Sequence, residues 1–239
     1  LTGTLTVKGG YGPSASAEAY GIKNTGTVEG KNIDLISKAI GNEGASEATA
    51  TAYGIFNDNN LFQLTDGDHN INVTAQGGSG TSSDTNNPTD VYAYAYGISN
   101  NNSGTLHLTG TTTLSATATG GTPLNSVENA VVNNAYATVY GIYNEGGEVT
   151  GGKLNATLLE AKGGTGTDAS ATTIGIYSEN APHTVTFNSL NMTKVNAEGG
   201  NGVDNASAIA YGIQNKSGYL ETTGTVATNT ITVTAKGGY

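Results

Sequence analysis

The chain has no cysteine, no tryptophan and no arginine among its 239 residues, and it has only four prolines. Without cysteine there can be no disulfide and no thiol chemistry. Because arginine supplies the planar fork that binds phosphates and base edges, its absence argues against nucleic acid as a partner. The formal net charge of −10 also disfavours an acidic lipid surface. We therefore expect no nucleic-acid partner.

Long apolar runs are missing as well. No stretch approaches the roughly 18 apolar residues of a membrane span, so we expect no membrane insertion by this segment. The N-terminus lacks the basic and apolar regions of a signal peptide. With 36% hydrophobic residues and 36 glycines, scattered apolar positions would indicate disorder. They recur in register instead, which predicts a repetitive fold with a core of small side chains.

A run of small residues followed by Tyr-Gly-Ile-x-Asn occurs six times. Its glycines lie 33, 43, 44, 34 and 37 residues apart, at Gly21, Gly54, Gly97, Gly141, Gly175 and Gly212. The fifth copy departs from the pattern, with Ile174 in place of Tyr and Ser178 in place of Asn. Repeats of this length are typical of stacked, quasi-one-dimensional architectures.

The pattern within each repeat predicts β-strands. Small residues alternate with variable polar ones before each Tyr-Gly-Ile, as at Ala48, Ala50 and Ala52, so we expect the alanines to face the interior. The following Ile has the opposite parity, and we therefore predict a bulge or sharp bend at the Gly. The Asn should stack as a hydrogen-bonded ladder, interrupted at Ser178.

A second landmark follows each of these segments: a short alternating strand that ends in Gly-Gly, or once in Gly41-Asn42. A third short stretch lies between the two landmarks. Three short strands per repeat, closed by Gly and Asn corners, predict an all-β fold: a parallel β-helix (solenoid) of about six rungs, each of 33–44 residues. We expect residues 1–239 to be a single segment cut from a longer array. An alternative is that each repeat folds as two smaller rungs.

Two adjacent repeats carry extra residues in the same corner, near Ser79–Asp90 and Thr122–Asn134. In a stack these long corners would project together, and loops on a rigid scaffold often bind ligands. The alternative is a tolerated insertion without a ligand. The candidate binding residues are the polar residues of these corners and the aromatic residues near them: Ser79, Asp84, Asn86, Asn87, Asp90, Tyr92, Tyr94, Asn125, Glu128, Asn133 and Tyr136.

The tyrosines of the repeated motif should form one vertical column, broken at Ile174. Exposed tyrosines in a row would offer a stacking surface for sugar rings, whereas an inward column would belong to the core. We favour the core for this column and exposure for Tyr94, which occupies a variable position. The column comprises Tyr20, Tyr53, Tyr96, Tyr140 and Tyr211.

Residues for catalysis or metal binding are sparse. Two acidic pairs, Asp66 with Asp68 and Glu145 with Glu148, could in principle serve a glycosidase or lyase. Neither pair belongs to a recurrent acidic column, and no arginine is present to hold a uronate. Residues 163–168 and 199–204 both match Gly-Gly-x-Gly-x-Asp, but a single copy in a rung lacks the tandem repeats that a calcium site needs. We expect no enzyme, no metal and no cofactor.

The pairing of Ala-x-Ala-Tyr-Gly-Ile-x-Asn with Thr-Val-Thr-Ala-x-Gly-Gly, in an acidic chain without cysteine, resembles the passenger domains of Gram-negative autotransporter adhesins. The resemblance implies a right-handed β-helix on the bacterial cell surface. It also implies a non-enzymatic adhesin or stalk that attaches to a glycan or protein of a host or neighbouring cell, or that self-associates. The alternatives are a carbohydrate-active β-helix enzyme, either polysaccharide lyase or hydrolase, and a self-assembling fibre module.

Overall fold

The computed structural model describes residues 1–82, 86, 88–123, 131–180, 183–224 and 229–238. Every regular element within these ranges is a β-strand. The strands are β1 (Thr2–Lys8), β2 (Gly12–Asn24), β3 (Val28–Gly30), β4 (Asp34–Ile40), β5 (Glu43–Asp58), β6 (Leu61–Leu64), β7 (Asp68–Gln76), β8 (Ser79–Gly80), β9 (Thr89–Asn101), β10 (Thr105–Thr119), β11 (Thr122–Pro123), β12 (Val132–Glu145), β13 (Glu148–Lys162), β14 (Thr165–Glu179), β15 (Thr184–Glu198), β16 (Asn201–Asn215), β17 (Tyr219–Thr222) and β18 (Thr230–Lys236).

The strands form two sheets, and all the strand pairs between described residues are parallel. The Tyr sheet contains the six strands with the repeated motif, which are neighbours in chain order: β2, β5, β9, β12, β14 and β16, with β8 and β11 beside them. The other ten strands form the Thr sheet, whose main path is β1-β4-β7-β10-β13-β15-β17. The fold is a parallel β-helix, as predicted.

Each repeat makes one rung. Tyr53 pairs with Tyr96 and Ile55 with Ile98, so identical motif positions lie directly above one another. The alternative of two small rungs per repeat is therefore wrong. Two of the three predicted segments belong to the Thr sheet. They are separate strands in some rungs, such as β6 and β7, but they merge into one long strand in β10, with a register irregularity between Leu108 and Thr111.

The interior consists of vertical columns of small and branched apolar residues. The predicted inward alanines of the Tyr sheet are buried, and Ile55, Ile98, Ile142 and Ile176 are fully buried. The Thr sheet contributes larger side chains to the same core, among them Leu114 and Leu159. In the last rung the same positions, such as Ala208 and Ile213, are only half-buried.

The motif glycine marks the predicted change of face. Ala52 and Ile55 both point inward although they are three positions apart, a spacing at which the side chains of a regular strand point to opposite faces. The rung-to-rung register does not shift there. The change of face is therefore shared by neighbouring rungs and is not a bulge in one of them. A Cβ on Gly54 would lie 2.5 Å from the Gly97 carbonyl oxygen and 2.3 Å from the Ile71 Cγ2. Only glycine fits at this position.

The predicted asparagine ladder is present. Asn24 Nδ2 donates to Asn57 Oδ1 at 2.7 Å, Asn57 to Asn100 at 2.8 Å, and Asn100 to Asn144 at 2.9 Å. Asn57, Asn100 and Asn144 also each donate to a carbonyl of the corner that follows, as Asn100 Nδ2 does to Gly104 O at 2.8 Å. The ladder stops at Ser178, whose buried Oγ has no hydrogen-bond partner among the described residues. The side chains that fix this corner thus have their polar atoms satisfied in four successive rungs.

Candidate functional site

The described parts of the two long corners lie one above the other, as predicted. Strand β8 pairs with β11, and further on Val131 N donates to Ser82 O at 2.8 Å. Ser79 is half-buried in β8, and Asn86 is exposed. Asp84, Asn87, Asn125 and Glu128 of the predicted site lie outside the described residues.

A cluster of one carboxylate and two amides stands where the long corners enter the Tyr sheet. Asp90 Oδ1 accepts hydrogen bonds from Asn133 Nδ2 at 3.2 Å, from the Asn134 backbone N at 3.2 Å and from Asn134 Nδ2 at 2.8 Å. The pattern returns in the next two rungs, where Asn205 donates to Asp168 at 2.6 Å. Alternation of amide and carboxylate keeps like charges from facing each other in neighbouring rungs. We call Asp90, Asn133 and Asn134 the amide–carboxylate cluster.

Three tyrosines lie beside this cluster on the outer face of the Tyr sheet. The rings of Tyr92 and Tyr94 have centroids 6.1 Å apart at 31°, and those of Tyr92 and Tyr136 are 5.8 Å apart at 54°. All three side chains are half-buried. Their columns hold small residues in the adjacent rungs, with Thr49 below Tyr92 and Ser170 above Tyr136. We call Tyr92, Tyr94 and Tyr136 the tyrosine patch. Its side chains are larger than their neighbours in the same outer columns and extend further from the sheet.

Burial and the Asp90 carboxylate raise the pKa of Tyr92 to about 12. Burial followed by the charges of Asp168 and Asp90 raises the pKa of Tyr136 in the same direction. Both phenols therefore stay protonated across the physiological range and can donate a hydrogen bond. The patch combines ring surface with hydroxyl donors and sits next to carboxylate and amide groups.

The motif tyrosines do not lie in the core, so that interpretation of their column is wrong. Tyr20, Tyr53, Tyr96 and Tyr140 are half-buried on the outer face, because they alternate with inward alanines. Neighbouring rings are 4.8–5.2 Å apart at 4–13°. Nearly parallel rings at this distance must overlap face on face with an offset, which is a favoured aromatic arrangement. The repetition of tyrosine thus reflects stacking on the surface.

A second aromatic column, which the sequence reasoning missed, runs beside the first. Phe56, Tyr143 and Tyr177 occupy the variable position of Tyr-Gly-Ile-x-Asn, and their rings stand at 67–86° to the nearby rings of the first column. Tyr143 and Tyr177 are themselves parallel at 5.2 Å and 6°. The two columns form a herringbone. The signal in the sequence is an aromatic residue at the same variable position in three of six copies.

Carboxylates hold the hydroxyls at the margins of these columns. Tyr20 donates to Glu18 at 2.5 Å, and Tyr177 and Tyr143 donate to Glu179 at 2.5 and 3.1 Å. The hydrogen bond from Tyr177 is the main cause of the lowered pKa of the Glu179 carboxyl. Lys23 lies 4.6 Å from the Tyr20 ring centroid, and Lys216 lies 4.9 Å from that of Tyr177. The rings of the two columns, and the hydroxyls at their margins, therefore have partners within the chain, whereas the rings of the tyrosine patch are not paired face to face.

The acidic pairs considered for catalysis do not belong to the tyrosine patch or to the amide–carboxylate cluster. Asp66 and Asp68 are exposed in one corner. Glu145 accepts hydrogen bonds from Tyr143 at 3.4 Å and Asn180 at 3.1 Å. Within the described ranges there is no group of three or more histidines and carboxylates placed to hold a metal ion. None of the residues that the structure describes forms a helix long and apolar enough to span a bilayer.

No protein-family model, curated protein or solved structure matches this chain. Of the candidate residues, the structure brings together Asp90, Tyr92, Tyr94, Asn133 and Tyr136, and it places Ser79 and Asn86 in the adjoining corner.

Proposed function

We propose that the chain is a non-enzymatic adhesive segment of a bacterial surface protein, which attaches to glycans on host or neighbouring cells. The attachment surface is the tyrosine patch with the amide–carboxylate cluster and the long corners beside it. The rest of the β-helix acts as a rigid stalk that presents this surface. The extracellular location follows from the resemblance to autotransporter passengers and belongs to the same proposal.

The observation that supports the proposal most is the contrast between the patch and the stacked columns. In the first column neighbouring rings stack face on face at 4–13°, whereas Tyr92 is tilted by 31° to Tyr94 and by 54° to Tyr136. A sugar ring has an apolar face that packs on an aromatic face and hydroxyls that need polar partners. The tyrosine patch supplies the aromatic surface, and Asp90, Asn133 and Asn134 supply the polar partners.

The charge of the Tyr sheet favours neutral sugars. Its six motif strands contain one lysine, Lys23, against nine acidic residues: Glu18, Glu43, Glu47, Asp58, Asp90, Glu145, Asp168, Glu179 and Asp204. An acidic sugar approaching this face would be repelled at low ionic strength, and the repulsion would be screened within about 10 Å at 0.1 M salt. We therefore expect neutral glycans to bind better than sialylated or uronate-rich ones.

The test is attachment of the purified chain to a glycan array and to cells, with the double variant Tyr92→Ala/Tyr136→Ala. We expect attachment to weaken by roughly tenfold or more, because loss of a buried aromatic contact at a binding site costs over about 1 kcal/mol. The matched control is Tyr11→Ala, which removes a tyrosine that is 76% exposed and lies outside the patch. Unchanged attachment of a double variant with native circular dichroism would refute the assignment.

Two further measurements address the alternatives. Release of reducing sugar or unsaturated uronate from a polysaccharide panel would show an enzyme and contradict the non-enzymatic assignment. Light scattering over a concentration series reports self-association. Growth of particles that persists in the Tyr92→Ala/Tyr136→Ala variant would place the adhesive contact elsewhere on the chain.

A further inference from the structure

Tyr143 and Tyr177 form a stacked pair whose two hydroxyls converge on one carboxylate. The two residues are paired in register between β12 and β14, and their ring centroids are 5.2 Å apart at 6°. Tyr143 Oη donates to Glu179 Oε1 at 3.1 Å, and Tyr177 Oη donates to Glu179 Oε2 at 2.5 Å. Glu145 Oε2 is a second acceptor for Tyr143, at 3.4 Å. Both phenols therefore have a base within hydrogen-bond reach.

No other parallel pair of rings in the described part of the chain combines these features. Tyr53, Tyr96 and Tyr140 stack at similarly small angles, but their hydroxyls have no carboxylate partner among the described residues. Tyr20 has such a partner in Glu18, whereas its stacked neighbour Tyr53 does not. The rings of the tyrosine patch are tilted, and the contacts between the two columns are edge to face. The pair that shares a carboxylate is therefore chemically distinct from the rest.

The surroundings keep both phenols protonated and the carboxylate ionised. Burial, followed by the charge of Glu145, raises the pKa of Tyr143, and burial followed by the hydrogen bond to Glu179 raises the pKa of Tyr177. The hydrogen bond from Tyr177 is the main cause of the lowered pKa of Glu179, and Lys216, at 3.4 Å, acts in the same direction. A neutral phenol loses an electron more readily when its proton leaves at the same time. A carboxylate held at hydrogen-bond distance can take that proton.

The parallel arrangement of the two rings also suits the formation of a bond between them. In a tyrosyl radical the unpaired electron is shared between the oxygen and ring carbons, including the carbons ortho to the hydroxyl. The orbitals that hold this electron are perpendicular to the ring, so in a parallel stack they point toward the next ring. In an edge-to-face pair, such as Tyr140 with Tyr143 at 73°, the orbitals of the two rings are nearly perpendicular to each other. Parallel rings therefore meet along the direction in which a carbon–carbon bond forms.

We propose that Tyr143 and Tyr177 are an oxidative modification site, at which a dityrosine bond joins the fourth and fifth rungs. The co-reactant is a one-electron oxidant of the kind that a peroxidase makes from hydrogen peroxide. Each phenol gives one electron to the oxidant and its hydroxyl proton to Glu179 or Glu145. The two radicals then form a bond between their ortho carbons. The hydrogen on each joined carbon leaves as a proton and each oxygen regains one, so the pair loses two electrons and two protons in total.

The burial of the pair favours a bond within the chain over a bond between chains. Tyr143 is half-buried and Tyr177 is 6% exposed, so the oxidant meets Tyr143, and the electron of Tyr177 passes through the stacked ring. The bond lies beside Asn144 and Ser178, the step at which the asparagine ladder is interrupted. A covalent link there replaces the missing contact between these two rungs. This modification does not depend on the attachment proposed above.

The experiment is treatment of the purified chain, at low protein concentration and neutral pH, with a peroxidase and limiting hydrogen peroxide. Dityrosine fluorescence measures the yield, and peptide mass spectrometry of the monomer identifies the joined residues by the loss of two hydrogens. We expect the Tyr143–Tyr177 cross-link to exceed one between the equally parallel Tyr53 and Tyr96 by about tenfold or more, because only the first pair has bases in place. The cross-linked monomer should unfold roughly 5 °C or more above the untreated chain.

Two variants separate this cross-link from general oxidation, with native circular dichroism as the check on folding. Tyr143→Phe keeps the stacked ring without its hydroxyl, so it should lose both the cross-link and the gain in unfolding temperature. Glu179→Gln keeps a hydrogen-bond acceptor but removes the base, so it should lower the yield by at least about threefold. The matched Glu18→Gln, beside Tyr20, should leave the yield unchanged.

Three results would overturn the proposal. The first is no dityrosine in the monomer, or dityrosine only at the exposed Tyr11 and Tyr219. The second is an equal yield from the stacked tyrosines that lack a carboxylate partner. The third is a yield that Glu179→Gln leaves unchanged in folded protein, which would show that the shared carboxylate has no part in the reaction.

Discussion

The two sheets of this β-helix share the same rungs and the same core but present different outer faces. The Tyr sheet carries two aromatic columns, the tyrosine patch and an excess of carboxylates. The Thr sheet has seven acidic residues and six lysines in its strands, and its outer columns consist of pairs such as Lys194–Glu160 at 3.3 Å and Asn191–Asn155 at 3.0 Å. The inner columns of both sheets consist of small or branched apolar residues, so the chemical differences between the two sheets lie in their outer columns.

This difference between the sheets predicts which columns contribute most to stability and which are available for binding. A change in an inner column affects packing across several rungs, whereas an outer column of the Thr sheet has few partners to lose. The Tyr sheet is intermediate, because its outer rings also pack on one another. The following substitutions test this ranking, beginning with the interior.

The motif glycine should be the most sensitive position. In Gly97→Ala the new Cβ would lie 2.4 Å from Leu114 Cδ1 and 2.6 Å from Gly141 O, so two rungs must shift. We expect a loss of about 3 kcal/mol in the free energy of unfolding, measured by urea denaturation. Gly3→Ala is the control, because its Cβ would meet nothing within 4 Å. Equal destabilisation by the two substitutions would contradict the packing role of the motif glycine.

The asparagine ladder should come next. Asn100→Ala removes the acceptor of Asn57 and a donor to Asn144 in a fully buried column, so we expect a loss of about 2 kcal/mol. Asn191→Ala, on the outer face of the Thr sheet, should cost about 0.5 kcal/mol or less, because water replaces its partner. The two midpoints in urea measure the difference. A ladder variant as stable as the surface variant would show that the ladder does not hold the corner.

An outer ring of the Tyr sheet should matter less than the ladder and more than the Thr sheet. Tyr53→Ala removes a ring that lies 4.8 Å from both Tyr20 and Tyr96, and we expect a loss of about 1 kcal/mol. Thr74→Ala, whose hydroxyl is 3.4 Å from that of Thr117, should change stability by less than about 0.5 kcal/mol. Thermal unfolding of both variants compares the stability that the outer faces of the two sheets contribute. If the values are equal, the herringbone adds nothing to stability.

The smallest expected effect is a change in stability and in tyrosine titration at alkaline pH. The pKa of Tyr92 is raised from 10.0 to about 12 in the folded chain, so the unfolded chain loses this proton first. The contribution to stability is complete below pH 10 and is lost as the pH rises toward 12. Tyrosinate absorbance should therefore appear at higher pH in the native protein than in urea, and Tyr92→Phe should reduce this difference. A native titration identical to the denatured one would rule out the environment described for Tyr92.

The inner columns were predictable from the sequence, because only small or branched apolar residues fit there and they recur with period two. Ala48, Ala50, Ala52 and Ile55 show this directly. The same reasoning failed for Tyr53, since a residue repeated in rung after rung suggested the core. Its repetition has another cause: at a spacing of about 4.8 Å, a tyrosine on the surface packs best on a tyrosine.

The candidate site was predictable in part. The matching insertions placed Asp90 and Asn133 together, and the structure adds the hydrogen bonds between them. The environment of His183 could not be predicted, because the glycines that align with it, Gly104, Gly147 and Gly218, are identified only by the register between rungs.

The most direct test of the proposed attachment surface is NMR of the tyrosine ring protons during titration with a neutral glycan selected on the array. We predict shifts for Tyr92, Tyr94 and Tyr136 and unchanged resonances for the stacked Tyr53 and Tyr96. Shifts confined to the stacked columns or to the Thr sheet, or no neutral glycan bound by the array, would contradict it.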